Sequence, residues 1–106
     1  MYLLTHSQFF AVKVGVTTSK SRTNRVDQHL KFGWQLVEQW PLAVGNDARD
    51  VEQAMLSWWR KDLGACAAVA KTDMPQGGWS ETASLLWVDV AETAERIQAE
   101  VDRLLS

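Results

Sequence analysis

A tyrosine, a lysine, an arginine, a histidine and a glutamate stand where a small fold could bring them together. They are Tyr2, Lys13, Arg25, His29 and Glu52. These side-chain types suit hydrolysis of a phosphodiester, since a carboxylate can hold a hard divalent cation through oxygen and an arginine can bind phosphate with two parallel hydrogen bonds. A tyrosine, lysine or histidine beside them could help to deprotonate an attacking water.

Basic residues gather around this set. Residues 13–31 contain five basic side chains and one acidic one, although the whole chain carries a net charge of −2. On a helix, Arg22, Arg25 and His29 share one side at i, i+3 and i+7. Gly15 would allow close approach to the preceding strand. The residues predicted to bind substrate phosphate are Lys20, Arg22 and Gly15.

The acidic charge lies elsewhere. Residues 81–106 contain six acidic and two basic side chains, which predicts a basic face and an acidic back. An ordinary solvated helix surface is the alternative explanation of the same pattern.

Hydrophobic periodicity predicts an α+β fold in the order β-β-α-β-α-(loop)-α. A small three-stranded antiparallel sheet, made of an N-terminal hairpin and a third strand, is expected to be flanked by helices. The predicted strands are Tyr2–His6, Ala11–Thr17 and Trp34–Ala43. The first helix is capped by Ser19 or Ser21 and runs to about Phe32, the second runs from Asn46 or Asp47 to about Leu63, and the last is capped by Asp89.

Finer details follow from helical spacing. Val26 and Leu30, at i and i+4, should face the sheet. Trp58 and Trp59 lie about 100° apart on a helix, so one should pack inside and the other at a groove or rim. Trp59 is therefore an accessory candidate for stacking on a base, with core burial as the alternative. The stretch from Gly64 to Gly78 should be irregular.

Length and composition restrict the classes of protein to which the chain can belong. The chain has 106 residues, which predicts a single domain over 1–106. Its one cysteine excludes an internal disulfide and a cysteine-rich zinc site. No apolar run of roughly 18 residues is present, so no membrane partner is expected. The N-terminus does not read as a signal peptide, and the cytoplasm is the predicted compartment.

The order of the short motifs resembles the GIY-YIG nuclease superfamily, in the branch that writes its second signature "vKIG". "YLL" at the N-terminus is similar to the first signature strand and "VKVG" (12–15) to the second. "RVDQH" (25–29) is similar to the Arg-x-x-x-His helix of the family. "ARDVEQAML" (48–56) resembles its glutamate-bearing helix, and "WSETA" (79–83) resembles a later segment.

The resemblance implies a nuclease domain that cuts DNA with one Mg²⁺ or Mn²⁺. It gives Arg25 the role of stabilising the transition state and Glu52 the role of ligating the metal. Tyr2 would position or deprotonate water, Lys13 takes the place of a second tyrosine, and His29 would support the phosphate or the general base.

Glu81 departs from the family pattern, which has an asparagine in this region in many members. A carboxylate there would repel DNA unless it binds metal or orients Lys13 or an arginine, so Glu81 is an accessory candidate. Three classes of function stay open: a metal-dependent DNA endonuclease, a weak or inactive module that binds nucleic acid or a protein partner, and an interaction protein. The last would use the apolar seam of the C-terminal helix, formed by Val90, Ala94, Ile97, Val101 and Leu104. For the endonuclease, one compact domain offers no separate recognition module, which allows a homodimer or a larger assembly.

Overall fold

The computed structural model of the chain describes residues 1–16, 25–41 and 45–105. The strands are Tyr2–His6 (β1), Ala11–Gly15 (β2), Gln35–Gln39 (β3) and Thr82–Ser84 (β4). The α-helices are Arg25–Leu30 (α1), Gly45–Ser57 (α2) and Val90–Leu105 (α3). A π-helical turn, Trp58–Asp62, continues α2, and Lys71–Asp73 and Trp79–Glu81 form 3₁₀ turns. No helix in these ranges is long and apolar enough to cross a membrane.

The sheet confirms the α+β class but has four strands, not the three predicted from the sequence. Its order is β3-β1-β2-β4, and each neighbouring pair is antiparallel. The strand that the prediction missed pairs with β2, with Lys13 opposite Thr82 and Ala11 opposite Ser84. Three residues are too few to show the alternation by which a strand is recognised, and β4 covers an edge of β2 that would otherwise stay unpaired.

Both faces of the two central strands are buried. One face, called the core face here, carries Leu3, Val12 and Val14 and packs against α2 and α3. The opposite face, called the site face, carries Tyr2, Leu4, Ala11 and Lys13. The site face is covered by residues of α1, its following turn and the loop after the π-helical turn: Val26, Trp34, Val69 and Met74. Polar groups on the site face are therefore held out of bulk water.

The element bounds agree with the sequence patterns at most ends. The chain leaves the π-helical turn at Leu63 and Gly64, where the second helix was expected to end. Strand β3 stops at Gln39, short of the predicted end. Asn46 and Asp47 lie in the first turn of α2, so neither is its cap. The predicted caps of the first helix fall outside the described residues.

Helix α3 confirms its predicted cap and seam. The Oδ1 atom of Asp89 accepts a hydrogen bond from the backbone N–H of Glu92 at 2.9 Å, which satisfies a free donor of the first turn. Ile97 and Val101 are buried against the core face.

Helix α1 corrects one prediction. Val26 is buried, but Leu30 is 41% exposed, and His29 takes the inward position. Val26 and His29 point inward from positions i and i+3. Leu30 follows His29 by one residue, which rotates it about 100° around the helix axis and away from the sheet.

The tryptophan pair corrects another prediction. Trp58 is 6% and Trp59 0% exposed, so neither lies at a groove or rim. The chain folds back after the π-helical turn, where the N–H of Ala65 donates to the carbonyl of Trp59 at 2.8 Å. Trp58 is covered instead by Arg96, whose guanidinium carbon lies 4.0 Å from the ring centre. Trp59 thus belongs to the core, out of reach of a stacking base.

Arg60 joins the π-helical turn to the loop that leads back to the sheet. Its guanidinium donates to the carbonyl of Ala65 at 2.9 Å, of Ser80 at 2.6 Å and of Thr82 at 2.8 Å. Three carbonyls around one planar fork suit arginine and not lysine. Arg60 therefore fixes the position of the turn that carries Glu81.

We expect Arg60→Lys to lower the free energy of unfolding by about 2 kcal/mol, because a single ammonium nitrogen cannot occupy both positions, Nη1 and Nη2, from which the guanidinium reaches the carbonyls. Urea unfolding followed by tryptophan fluorescence measures the change. Lys61→Arg, at the exposed neighbouring position, is the matched control and should stay within about 0.5 kcal/mol of the native protein. Equal stability of both variants would show that the three hydrogen bonds do not anchor the loop.

Candidate active site

Six polar residues predicted from the sequence come together on the site face and at its rim. Strands β1 and β2 supply Tyr2 and Lys13, helix α1 supplies Arg25 and His29, helix α2 supplies Glu52, and the second 3₁₀ turn supplies Glu81. Lys20 and Arg22 fall outside the described residues.

Lys13 lies at the centre of this group and is 0% exposed. Its Nζ donates to the carbonyl of Val14 at 3.0 Å and pairs with Oε2 of Glu81 at 2.9 Å. The same ammonium lies 5.6 Å from the centre of the Tyr2 ring. Burial lowers the pKa of Lys13, and the charge of Glu81 opposes that shift. Glu81 thus orients Lys13, one of the two roles that the sequence left open for it.

The Gly77–Gly78 turn lies directly over Lys13 and His29. Both glycines have positive φ, +87° and +90°. A Cβ on Gly78 would stand 2.7 Å from Cε and 2.9 Å from Nζ of Lys13, and 3.5 Å from Cε1 of His29. Only glycine fits this conformation and this space. The close approach that these glycines permit is therefore to the protein's own side chains.

Tyr2 lies against the backbone of Gly15, its partner in the hairpin register. A Cβ on Gly15 would overlap the ring and hydroxyl of Tyr2, so the ring occupies the space that a side chain would need. Burial and the charge of Glu81 raise the pKa of Tyr2 to about 12, against an opposing interaction with Arg25. The hydroxyl stays protonated at neutral pH, where it can orient a water but cannot act as a phenolate base.

His29 is buried between Tyr2 and the glycine turn. Its ring centre lies 6.0 Å from that of Tyr2, and its Nδ1 lies 3.2 Å from Nε2 of Gln76. The other ring nitrogen, Nε2, is buried without a hydrogen-bond partner among the described residues. Burial, followed by the charges of Lys13 and Arg25, lowers the pKa of His29 to about 4. The imidazole is therefore neutral at pH 7.

Gln76 is the member of the site that the sequence did not predict. A glutamine in an irregular loop carries no recognisable pattern, and only the fold of that loop brings it to His29. Because it meets one ring nitrogen, it holds the orientation of the imidazole.

Glu52 and Glu81 form a pair of neighbouring carboxyl groups. Burial and the charge of Glu81 raise the pKa of Glu52 from 4.5 to about 7, with Lys13 opposing. Two neighbouring carboxylates repel each other, and the repulsion is relieved when the pair binds a proton or a cation. No group of three or more histidine, cysteine, aspartate or glutamate side chains that could hold a metal is found in the described part of the chain.

This pair nevertheless fits Mg²⁺, which is usually bound by one or two carboxylates together with water and substrate phosphate. The groups that reach solvent are Arg25 and Glu81, since Tyr2, Lys13 and His29 are covered. Among the described residues, a ligand approaching the site therefore meets Arg25 and Glu81 first.

We expect Gly78→Ala to destabilise the protein more than Gly64→Ala. Both residues have positive φ, but a Cβ on Gly64 meets nothing within 4 Å, whereas one on Gly78 displaces the ammonium of Lys13 from its partners. Gly64→Ala should cost about 1 kcal/mol of backbone strain. Gly78→Ala should cost about 2–4 kcal/mol, because it also disturbs a buried ion pair. Thermal unfolding of both variants measures the difference, and equal losses would contradict the contact with Lys13.

We expect Glu52 and His29 to give stability opposite dependences on pH. Between about pH 4.5 and 7 the folded protein binds more protons at Glu52 than the unfolded chain, so the unfolding free energy falls as pH rises. Between about pH 4 and 6.5 it binds fewer at His29, so the unfolding free energy rises with pH.

Urea unfolding in EDTA over this pH range separates the two groups. The native profile minus that of Glu52→Gln should show the fall with rising pH, and the native profile minus that of His29→Asn should show the rise. Profiles parallel to that of the native protein in both variants would show that neither group is perturbed by folding.

The comparisons with known proteins add no relative to this geometry. No family model matches the sequence, no curated protein matches it, and no solved structure matches its fold. The assignment to a family therefore remains a prediction from motif order.

Proposed function

We propose that the protein is a metal-dependent DNA endonuclease of the GIY-YIG type, which hydrolyses phosphodiester bonds. The observation that carries the proposal is the convergence of Tyr2, Lys13, Arg25, His29 and Glu52 around one buried centre. These residues supply the cation, the carboxylate and the proton acceptor that phosphodiester hydrolysis needs.

Arg25 is the residue that binds the phosphate in this proposal. Its guanidinium is partly exposed, beside the Tyr2 hydroxyl and the glycine turn. There it can hold two phosphate oxygens and offset the charge that develops as water attacks phosphorus.

His29 and Tyr2 act on the attacking water in this proposal. The neutral imidazole of His29 can accept a proton through Nε2 in the tautomer that carries its hydrogen on Nδ1, with the carboxamide of Gln76 turned so that its oxygen accepts from that N–H. The Tyr2 hydroxyl orients the same water. The proton leaves the water as its oxygen bonds to phosphorus, and the bond to the leaving sugar oxygen breaks.

Glu52, with Glu81 beside it, would hold the divalent cation. A bound Mg²⁺ or Mn²⁺ supplies Lewis-acid stabilisation of the phosphate oxygens. The raised pKa of Glu52 means that the cation would replace a proton on this pair, so cation affinity should increase as pH rises through about 7.

A second function is favoured by the position of Lys13. Its charge is paired with Glu81 and covered by Gly78, so it is withheld from a phosphate. A module that binds nucleic acid or a protein without cutting would keep Lys13 as a structural cation. DNA binding in that case would weaken steeply with salt, and no product would form.

We expect the native protein to nick supercoiled plasmid when Mg²⁺ or Mn²⁺ is added, and Arg25→Ala and Glu52→Gln each to reduce the rate about 100-fold or more. Removal of the metal with EDTA should have the same effect. Gel separation of nicked from supercoiled plasmid measures the rate.

Arg49→Ala and Glu95→Gln, at exposed positions of α2 and α3, are the matched controls and should cut at the native rate. Circular dichroism confirms that each variant is folded. No cleavage by the native protein with any divalent metal would refute the endonuclease, and full activity of Glu52→Gln would refute its role as the metal ligand.

A further inference from the structure

A cleft of about 400 Å³ lies beside His29, between the end of α1 and the segment that precedes the glycine turn. It is lined by Gln28, Lys31, Phe32, Pro75 and Gln76. Its volume falls in the range of sites that hold small molecules. None of these residues was assigned a role from the sequence.

The cleft combines flat apolar surfaces with amide groups. Phe32 is 48% exposed and Pro75 is also exposed, so both present open surface. Gln28, Lys31 and Phe32 follow one another at i, i+3 and i+4, which places them on one side of α1 and its following turn. The carboxamides of Gln28 and Gln76 can each donate and accept hydrogen bonds.

This lining selects a class of ligand. A phosphate alone would gain nothing from Phe32 and Pro75, and an aliphatic group would leave the carboxamide of Gln28 without a partner in the cleft. A nucleobase has two flat faces that stack on an aromatic ring and an edge that carries both donors and acceptors. The ammonium of Lys31 can meet the phosphate attached to such a base, and the cleft lining, within the part of the chain that the structure describes, includes no acidic side chain to repel it.

The cleft adjoins the proposed reaction centre. Gln28 precedes His29 in α1, and Nε2 of Gln76 lies 3.2 Å from Nδ1 of His29. The position of a Cβ on Gly77 is 3.9 Å from Nη2 of Arg25. A base in the cleft would therefore belong to a nucleotide next to the phosphate that Arg25 holds.

We propose that this cleft binds one unpaired nucleobase of the substrate strand, stacked on Phe32 and hydrogen-bonded to Gln28 and Gln76. The inference rests on the proposed function, because the base belongs to the strand that is cut. A base inside a duplex has its faces covered by its neighbours, so occupation of the cleft requires an unstacked base. The preferred substrate is then DNA with an unpaired or extruded nucleotide beside the cleavage position.

Nuclear magnetic resonance titration tests the cleft without relying on cleavage. The probes are the four deoxynucleoside 5′-monophosphates, with 2-deoxyribose 5-phosphate as the probe without a base. We expect the nucleotides, and not the sugar phosphate, to shift the side-chain amide signals of Gln28 and Gln76. Phe32→Ala should weaken nucleotide binding about fivefold or more. Leu36→Ala, another exposed apolar residue outside the cleft lining, is the matched control and should bind as the native protein does.

Two results would overturn the inference. The first is equal shifts from the sugar phosphate, which would leave only a phosphate contact at Lys31. The second is equal binding of the nucleotides by Phe32→Ala and Leu36→Ala. The plasmid assay separates this failure from failure of the proposed function. Nicking by the native protein with no base-dependent shifts would refute the cleft and keep the nuclease. Base-dependent shifts that Phe32→Ala weakens, without nicking, would keep the cleft and refute the nuclease.

Discussion

The rest of the structure depends on placing one buried ammonium in the middle of the sheet. Lys13 lies on a central strand with no exposed surface, and a charge in that position is tolerated only when it is paired and hydrogen-bonded. Glu81 and the carbonyl of Val14 meet that requirement. Glu81 can pair with Lys13 only because the long irregular loop returns to the sheet and ends in β4. The glycine turn can cover the ammonium only because it lacks side chains.

The charge of Lys13 shifts the pKa values of the titratable groups around it. Burial lowers the pKa of His29 and the charge of Lys13 adds to that shift, whereas burial and Glu81 raise the pKa of Glu52 and Lys13 opposes them. The group thus contains a neutral imidazole and a carboxyl group whose pKa is raised to about 7. Titratable groups whose pKa values are shifted by one shared environment are characteristic of acid–base sites. This is the physical link between the fold and the proposed chemistry.

Periodic segments of the sequence predicted their structures well. The alternating valines of β2 and the spaced apolar residues of α3 carry strong signals, because each repeats over several turns or strand positions. The residues that the prediction misplaced depend on contacts distant in sequence. Leu30 faces solvent because His29 takes the inward position, and β4 forms because β2 offers an open edge. Trp59 is buried where the chain folds back over the end of α2, and Trp58 is covered by Arg96.

The residues of the candidate site likewise fall into those that the sequence revealed and those that it did not. Tyr2, Lys13, Arg25, His29 and Glu52 were found by their types and motif order, and Glu81 by its departure from a pattern. Gln76 and the lining of the cleft could not be found, because a loop residue shows its partner only after the loop has folded. The glycines of the turn lie in a stretch that was predicted to be irregular, but the sequence could not show that they approach Lys13 and His29.

The π-helical turn after α2 has a consequence for how this chain can vary in length. Its hydrogen bond from the N–H of Leu63 to the carbonyl of Trp58, at 3.1 Å, spans one residue more than an α-helical bond does. Deletion of one residue here would restore regular α-helical spacing, but would rotate everything beyond it by about 100°. Arg60 would then turn away from its three carbonyls. Insertions and deletions should therefore be confined to the loop that follows this segment.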